Sequence, residues 1–272
     1  MNSNSWKGRW TLITGASAGI GTAFAEQLAA GGSNLVLTAR RVDRLQELSI
    51  RLRSAHSVQV ECFAADLNVT EAPAQIFAFT QSKGLAIDFL INNAGFGQYG
   101  EFGAAALDRQ LGMVQVNCMA VVHMTHSYLP GMIARKRGDV LIVASTASFQ
   151  AVPYMSVYAA TKSFDLLFAE GLAQEVAQHG VRVCALCPGA TAPEFQQVAG
   201  SPADRKGRME QTADEVVKVG LDALAAGKHH VISGFGNRAG AEIQRLLPRR
   251  LVTNVSAKLF RPKGPAAAAG SR

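Results

Sequence analysis

The feature of the sequence that most constrains its fold is a regular alternation of short apolar runs and longer helical patterns. Runs rich in β-branched and other apolar residues predict strands at 10–14, 34–39, 58–64, 88–92, 139–144, 181–187 and 230–233. Helical patterns lie between them, near 20–30, 42–53, 71–82, 104–135, 157–179 and 213–226. Because strands that alternate with helices are joined by right-handed crossovers, we predict one α/β domain with a doubly wound parallel sheet of about seven strands and helices on both faces.

Composition excludes several classes of protein. The 272 residues are 48% apolar and 17% charged, which is typical of a soluble globular chain and not of a disordered one. Polar residues and prolines interrupt the uncharged stretches before they reach the ~18 apolar residues that a membrane span needs. Four cysteines are too few for a disulfide scaffold, and the first residues lack the apolar core of a signal peptide. We therefore expect a reduced, cytoplasmic protein and exclude fibrous, disulfide-rich secreted and integral-membrane classes.

A glycine-rich turn joins the first predicted strand to the first helix, with the sequence Thr14-Gly-Ala-Ser-Ala-Gly-Ile-Gly21. Gly15 and Gly19 lack a Cβ, so the backbone can turn tightly and approach a phosphate, and Gly21 lets the helix pack on the strand. The helix N-terminus then directs unpaired N–H groups at the phosphate. Glycine also serves many ordinary strand-to-helix turns. At the first crossover of a doubly wound sheet, however, it predicts dinucleotide binding.

The Gly-x-x-x-Gly-x-Gly spacing resembles the classical short-chain dehydrogenase/reductase family, and later motifs extend the resemblance over residues 10–236. Asp66-Leu67 resembles the family's adenine contact, Asn92-Asn-Ala-Gly95 its NNAG motif, and Pro188-Gly189 the turn that approaches the nicotinamide. The resemblance implies a Rossmann-type fold, homodimers or homotetramers, and no metal. The cofactor-binding residues that it implies are Gly15, Ser17, Gly19, Ile20, Gly21, Arg40, Arg41, Asp66, Leu67, Asn93, Ala94, Gly95, Tyr158, Lys162, Pro188, Gly189 and Thr191.

The end of the second predicted strand indicates which nicotinamide cofactor binds. NAD sites place an acidic residue near this point for the ribose 2′-hydroxyl, whereas NADP sites accommodate the 2′-phosphate with arginine. Here Ala39 occupies the acidic position, and Arg40 and Arg41 follow it. The alternative is that both arginines only solvate the start of the next helix, where the helix dipole favours acids instead. We therefore predict NADP(H), although Ala18 stands where many NADP-preferring relatives have Lys or Arg.

Tyr158 and Lys162 are four residues apart on a predicted helix, so both side chains lie on one face. Tyrosine titrates near ~10, and a neighbouring cation favours the phenolate and makes it a better acid–base group at neutral pH. The resemblance implies that Ser145 orients the substrate carbonyl and that Asn117 holds a water linking Lys162 to solvent. Taken singly, Tyr-x-x-x-Lys occurs by chance on helix surfaces, and Ser145 could be a helix cap.

Together these residues predict hydride transfer between NADP(H) and a carbonyl/alcohol pair, with Tyr158 as the acid–base group. Apolar residues expected around the substrate indicate a hydrophobic compound, and we expect residues 194–209 to form a mobile lid. The expected pocket residues are Phe96, Tyr99, Phe149 and Tyr154. Pro193 stands where the family usually has a threonine that holds the cofactor, so weaker cofactor binding is expected.

The chain divides into a flexible N-terminus (1–9), the catalytic domain (10–236), a basic amphipathic segment (237–263) and a disordered tail (264–272). The basic segment holds seven basic residues and one acidic residue, mixed with apolar ones such as Leu246 and Leu251. It could contact an anionic membrane surface, dock against another subunit, or pack on its own domain over the substrate cleft. We expect no nucleic-acid binding, because no known nucleic-acid-binding module accompanies the basic residues.

Two hypotheses from other classes stay open at this point. The chain could be a redox sensor that binds NADP(H) without turnover, or a scaffold whose long fourth and fifth helices drive assembly. A sensor has no need of Ser145, Tyr158 and Lys162 together, so the sequence favours the enzyme.

Overall fold

All seven strands are parallel and form one sheet in the computed structural model, which describes residues 6–189, 199–200 and 211–262. The strands are β1 (Trp10–Thr14), β2 (Asn34–Ala39), β3 (Val60–Ala64), β4 (Ile87–Asn92), β5 (Gly138–Val143), β6 (Val181–Cys187) and β7 (His230–Ile232). Their order is β3-β2-β1-β4-β5-β6-β7, so β1 pairs with both β2 and β4. The strands β1 to β3 extend the sheet in one direction and β4 to β7 extend it in the other, so the strand order reverses between β1 and β4. Doubly wound folds bind their ligands at such a point. The predicted sheet is confirmed.

Helices cover both faces of the sheet. They are α1 (Gly19–Ala30), α2 (Val42–His56), α3 (Ala72–Ser82), α4 (Leu107–Val114), α5 (Ala120–Ala134), α6 (Ser156–Val176), α7 (Ala213–Ala225), α8 (Phe235–Gln244) and α9 (Arg249–Phe260). The buried residues of β6 show the two faces, since Cys184 and Leu186 belong to one core cluster and Ala185 and Cys187 to the other. Burial on both sides explains why the strand sequences are apolar throughout and do not alternate.

The single long helix predicted over 104–135 is interrupted. A 3₁₀ turn at Phe102–Ala104 precedes α4, and a π-helical turn at Gln115–Met119 joins α4 to α5. A π turn adds a residue to the helical repeat and shifts the side chains that follow it. Apolar periodicity alone does not reveal such an insertion. The turn carries the completely buried Asn117, so the interruption lies next to the candidate site.

Residues 6–9 are not the flexible arm expected for residues 1–9. Trp6 is 5% exposed, its ring stacks on Phe89 with 5.1 Å between centroids, and its Nε1 donates to Asp139 Oδ2 at 2.7 Å. Gly8 N donates to Gly32 O at 2.8 Å. The expectation was wrong for these residues because the Trp6 indole is buried against the sheet. This burial fixes a segment whose neighbouring residues are mostly polar. Residues 1–5 lie outside the described part of the chain.

The basic amphipathic segment forms the helices α8 and α9, and the boundary drawn at residue 237 falls inside α8. The switch from β7 to α8 occurs at Gly234, whose φ of +89° favours glycine. Leu251, Val255 and Leu259 are exposed on α9, while Ser256 is buried. Thus α9 packs on the domain with one face and leaves a second apolar face uncovered. Lys263 and the tail at 264–272 lie outside the described residues.

Candidate active site

The glycine turn is built so that only glycine fits at its key positions. Gly15 and Gly19 have φ values of +67° and +51°, in the left-handed region that side chains disfavour. A Cβ on Gly15 would lie 2.9 Å from Ala94 Cα, and a Cβ on Gly21 would collide with the carbonyl oxygen of Gly15. The turn therefore packs tightly against the residues after β4 and presents the N-terminus of α1 toward the cleft.

Asn93 and Thr14 hold this turn in place. The backbone N–H groups of Asn93 and Ala94 both donate to Thr14 Oγ1 at 3.0 Å. The Asn93 amide in turn donates to the carbonyl oxygens of Thr14 at 2.8 Å and Gly15 at 3.2 Å. The NNAG motif thus fixes the glycine turn through its side chain and its backbone. The structural role of Thr14 went unrecognised in the sequence, where it is one threonine among several near a strand end.

One cavity of about 670 Å³ opens at the carboxyl ends of the strands, beside the glycine turn. The predicted site residues that line it are Gly15, Ser17, Gly19, Ile20, Arg40, Arg41, Asp66, Leu67, Asn93, Ala94, Gly95, Ser145, Tyr158, Lys162, Pro188 and Gly189. Gly21 lies behind the turn, Asn117 supports the wall from the core, and Thr191 and Pro193 lie outside the described residues. Seven separate stretches of sequence therefore converge on one cleft. A cradle closed to any Cβ, next to a helix N-terminus, fits a dinucleotide diphosphate.

Arg41 and Arg40 follow β2 at the edge of the cavity. Arg41 donates from Nε to Ser17 Oγ at 3.2 Å and from Nη2 to the Ser17 carbonyl at 3.5 Å, so it is bonded to the glycine turn. It also occupies the N-cap position of α2. The alternative in which both arginines only solvate the start of that helix therefore does not hold for Arg41.

Ser145 serves both as a helix cap and as a partner of Tyr158. Its Oγ accepts from Ala147 N at 3.1 Å at the start of the 3₁₀ helix Thr146–Phe149 and is also hydrogen-bonded to the Tyr158 phenol. Its N–H donates to Ser148 Oγ, which donates to the Lys162 carbonyl at 2.7 Å. Ser148 was not predicted as a site residue, but it joins the serine-bearing turn to the helix of Tyr158.

Tyr158 and Lys162 lie on α6 with both side chains buried, at 8% and 5% exposure. Burial raises the pKa of the Tyr158 phenol above its ordinary value, with a smaller contribution from Asp165, while Lys162 and the Ser145 hydrogen bond lower it. The effect expected of Lys162 is present, but the chain alone does not bring the phenol below its ordinary range. Burial lowers the pKa of Lys162, yet Asp165 and Tyr158 outweigh it, so the amine stays protonated.

Lys162 reaches from α6 to the end of β5. Its Nζ donates to the Val143 carbonyl at 2.7 Å and to Asp165 Oδ2 at 2.9 Å. A Cβ on Gly95 would lie 3.3 Å from Nζ, so the ammonium is packed against the NNAG motif. Neither Val143 nor Asp165 was predicted. The first contributes only a backbone oxygen, and the second was detectable as an acid three residues after the lysine on one helix.

Asn117 spans the space between the NNAG motif and α6. Its Oδ1 accepts from Phe96 N at 3.1 Å, and its Nδ2 donates to Phe96 O and to Thr161 Oγ1, both at 3.0 Å. A Cβ on Gly95 would lie 3.1 Å from Asn117 Oδ1. The amide thus fixes the backbone of Phe96, which lines the cavity next to Gly95.

Apolar side chains also line the cavity, as expected, but only part of the predicted set is among them. Phe96 lines it, whereas Tyr99 and Tyr154 hold the C-terminal helix instead: Tyr99 Oη donates to the Phe260 carbonyl at 2.8 Å, and Arg261 Nε donates to Tyr154 Oη at 3.4 Å. Phe149 packs toward His230. The apolar residues that sequence analysis missed here are Val116, Val152, Met155, Ala199 and Phe260. The end of α9 therefore covers the cleft.

The short chain dehydrogenase family model matches residues 9–203. The chain belongs to the short-chain dehydrogenase/reductase family. Members of this family are oxidoreductases that act on CH–OH and carbonyl groups with a nicotinamide cofactor, and this chain is an enzyme of that class. The resemblance stated from the motifs is thereby confirmed.

Several proteins of known sequence or structure are similar to this short-chain dehydrogenase/reductase. The very-long-chain 3-oxoacyl-CoA reductase of Rattus norvegicus is 29% identical over 247 residues, which cover 89% of this chain and 76% of the relative. A solved structure of a 7β-hydroxysteroid dehydrogenase superposes with a TM-score of 0.84 at 27% identity, covering 94% of this chain and all of that one. A short-chain dehydrogenase from Sphingobium yanoikuyae in complex with NADPH has a TM-score of 0.79 at 30% identity, with coverages of 96% and 98%.

Within the described ranges, no helix of this short-chain dehydrogenase/reductase is both long enough and apolar enough to cross a bilayer.

Proposed function

We propose that this enzyme transfers a hydride between NADP(H) and a hydrophobic carbonyl/alcohol substrate. The observation that carries the proposal is the convergence of Ser145, Tyr158 and Lys162 on one cavity whose other wall is the glycine turn. A chain that only bound the cofactor would need the turn but not a phenol, a hydroxyl and an ammonium next to the cleft.

The proton chemistry follows from the bonds of these side chains. A bound nicotinamide supplies the hydride in reduction and accepts it in oxidation. In reduction Tyr158 donates the phenolic proton to the substrate oxygen, and in oxidation its phenolate accepts the proton of the alcohol. The Ser145 hydroxyl, already bonded to that phenol, donates to the same oxygen as negative charge builds up on it. Lys162 stabilises the phenolate because its buried ammonium lowers the pKa of Tyr158.

We assign Asn117 to the route by which the proton reaches solvent. The support is its position: the amide lies against Gly95, as does Lys162 Nζ. The three hydrogen bonds of the amide go to Phe96 and Thr161, so the side chain shapes the wall of this route.

The arginines after β2 support NADP(H) as the preferred cofactor. Arg41 is anchored on Ser17 of the glycine turn, Arg40 lines the same end of the cavity, and Ala39 leaves no carboxylate to repel a 2′-phosphate. A guanidinium matches a phosphate dianion with paired donors. The structure of a similar enzyme from Sphingobium yanoikuyae was solved in complex with NADPH, which agrees with this proposal.

The apolar side chains in the wall of the cavity support a hydrophobic substrate. Phe96, Val152, Met155 and Phe260 line it, and an apolar wall gains free energy by excluding water from an apolar ligand. Relatives whose names specify very-long-chain 3-oxoacyl-CoA and 7β-hydroxysteroids are consistent with a bulky ketone or an acyl chain.

The exposed apolar side chains of α4, α5 and α6 support a homodimer or homotetramer. Leu107, Leu111, Val122, Phe164 and Leu167 are between 38% and 68% exposed. Exposed apolar residues on neighbouring helices are typical of surfaces that another subunit covers. Light scattering after size-exclusion chromatography measures the assembly directly, and a monomeric mass would contradict this part of the proposal.

The C-terminal helix supports peripheral contact with an anionic membrane by an otherwise cytoplasmic enzyme. Leu251, Val255 and Leu259 recur every four residues on α9 and are 48%, 49% and 64% exposed. Arg250 and Lys258 flank this stripe. An apolar stripe beside cations fits the interface of an anionic bilayer. The neighbouring face of α9, which carries Ser256 and Phe260, still packs on the domain and covers the cleft, so packing on the domain and membrane contact are compatible.

The decisive experiment is a screen of NADPH oxidation over a panel of hydrophobic ketones and aldehydes, repeated with NADH and with the Tyr158→Phe variant. We expect NADPH-dependent turnover that Tyr158→Phe reduces by at least about 10³-fold while NADPH binding persists. Tyr128→Phe is the matched control, because Tyr128 is also buried but bonds to Thr80 behind the sheet. It should keep near-normal turnover. If Tyr158→Phe is as active as the unmodified enzyme, or if cofactor binds without turnover of any substrate, the redox sensor is the better explanation.

A further inference from the structure

Asp165 is a buried acid that the chemistry described so far does not use. It lies on α6 three residues after Lys162, its side chain is completely buried, and its Oδ2 is 2.9 Å from Lys162 Nζ. Its other oxygen, Oδ1, has no hydrogen-bond partner among the described residues. A buried carboxylate with one unpaired oxygen costs free energy, and this one lies in direct contact with Lys162 of the candidate site.

The titratable groups packed around Asp165 and its partner Lys162 come from three elements. Lys162 and Tyr158 lie on α6 and Cys118 lies on the π-helical turn, and all three interact with Asp165, whereas Cys187 at the end of β6 interacts with Lys162. Burial raises the pKa of Cys118 to about 12 and that of Cys187 still further. Both thiols are therefore neutral at working pH. Lys162 and Asp165 are then the cation and the anion that act on the Tyr158 phenol, one favouring phenolate and the other opposing it.

We propose that Asp165 is a positioning residue that sets the pH range in which Tyr158 works. Its carboxylate holds the Lys162 ammonium between Oδ2 and the Val143 carbonyl, which are 2.9 and 2.7 Å from Nζ. Its negative charge also compensates part of the lysine's positive charge, so that the phenol keeps its proton to higher pH than it would beside Lys162 alone. The inference rests on the proposed function, in which Tyr158 exchanges the proton with substrate.

The sign of the effect follows directly. Without the carboxylate charge, the lysine cation favours phenolate more strongly, and the pKa of Tyr158 falls. Reduction needs the protonated phenol and oxidation needs the phenolate. The alkaline limb of the reduction profile and the rising limb of the oxidation profile should therefore both move to lower pH. The equilibrium between substrate and product at a given pH is unchanged, because it does not depend on the enzyme.

The test compares Asp165→Asn with Asp139→Asn. The first keeps an oxygen that can accept from Lys162 but removes the charge. The second removes the charge of another buried acid, Asp139, whose Oδ1 is 2.7 Å from Arg182 Nε. This pair does not line the cavity. We measure kcat/KM against pH in both directions. Asp165→Asn should shift both limbs down by about one pH unit, a tenfold change in phenolate fraction. Asp139→Asn should lower thermal stability without moving either limb. If both limbs of the kcat/KM profiles stay in place in Asp165→Asn, whatever the stability of the variant, Asp165 does not set the pH range of Tyr158.

A second measurement does not depend on turnover. The ultraviolet absorbance of tyrosinate is titrated in the full-length protein, and the titration of Tyr158→Phe is subtracted to isolate Tyr158. The difference should titrate at lower pH in Asp165→Asn, or in Asp165→Leu if the asparagine variant does not fold. An unchanged midpoint contradicts the role of Asp165. A shifted midpoint in a protein that turns over no substrate supports Asp165 and refutes the proposed function, so the two failures are distinguishable.

Discussion

Arg41 donates a hydrogen bond from Nε to Oγ of Ser17, 3.2 Å away, and thereby ties the end of β2 to the glycine turn. This contact holds a guanidinium where the ribose of a dinucleotide bound at the turn would lie. This hydrogen bond is made by Arg41, while Arg40 is exposed at the same edge of the cavity. Both guanidinium groups therefore lie at the end of the cavity next to the glycine turn.

Replacing both Arg40 and Arg41 with glutamine should remove the preference for NADPH. We expect kcat/KM with NADPH to fall by about 10²-fold, since a charged hydrogen bond contributes about 1.5–3 kcal/mol, while kcat/KM with NADH changes little. Arg51→Gln is the control, because Arg51 lies on the same helix α2 but pairs with Glu26. An equal loss with both cofactors would mean that the arginines maintain the turn and do not select the phosphate.

Adding one methyl group should have opposite effects at two glycines. Gly21→Ala places a Cβ against the carbonyl oxygen of Gly15, so we expect a loss of NADPH affinity and a lower Tm. At Gly171, inside α6, a Cβ meets no atom within 4 Å, and alanine should stabilise the protein by about 0.5–1 kcal/mol. Thermal unfolding and NADPH titration measure both effects. A Gly21→Ala variant that binds NADPH normally would contradict the packing described for the turn.

The double variant Leu251→Ser, Leu259→Ser should reduce binding to anionic lipid. It makes the exposed stripe of α9 polar without touching Phe260, so turnover should be retained. Co-sedimentation with vesicles of phosphatidylglycerol and phosphatidylcholine measures binding, and Ile50→Ser is the control because Ile50 is 66% exposed on α2. Equal pelleting of the unmodified enzyme and the double variant would show that α9 does not contact the membrane.

The stability of the protein should depend on pH through Asp165. Burial raises the pKa of this carboxyl from 3.8 to about 6, although Lys162 opposes the shift. The folded state therefore binds a proton at pH values where the unfolded chain has released it. The free energy of unfolding should fall as pH rises from about 4 to about 6, and Asp165 should add no further dependence above that range. Denaturant unfolding of the unmodified protein minus that of Asp165→Asn isolates this effect, and a flat difference would contradict it.

Much of the fold could be predicted because its determinants are local. The bounds of β1, β2 and β6 match the predicted runs, since each is a short apolar segment between turn signals. The positions of Ser145, Tyr158 and Lys162 beside the glycine turn follow from motif spacing on known elements. The π-helical turn at Gln115–Met119 could not be predicted, because it depends on tertiary contacts of Asn117 with Phe96 and Thr161.

The remaining parts of the site depend on long-range packing that local patterns do not encode. Phe260 lines the cavity at the end of α9, and its backbone carbonyl accepts a hydrogen bond from the hydroxyl of Tyr99, which is far away in sequence. Trp6 is ordered by Phe89 and Asp139, which belong to two other strands. Asp165 is recognisable in the sequence as an acid three residues after Lys162, but the burial of the pair depends on tertiary packing.

The placement of Trp6 has a practical consequence for spectroscopy. The protein has two tryptophans, Trp6 and Trp10, and both lie at or just before the amino end of β1. The proposed cofactor site lies at the carboxyl ends of the strands of the same sheet. Tryptophan fluorescence should therefore report unfolding at the amino ends of the strands, whereas the fluorescence of bound NADPH would report unfolding of the cleft. Recording both during heating shows whether the two ends of the sheet unfold at the same temperature.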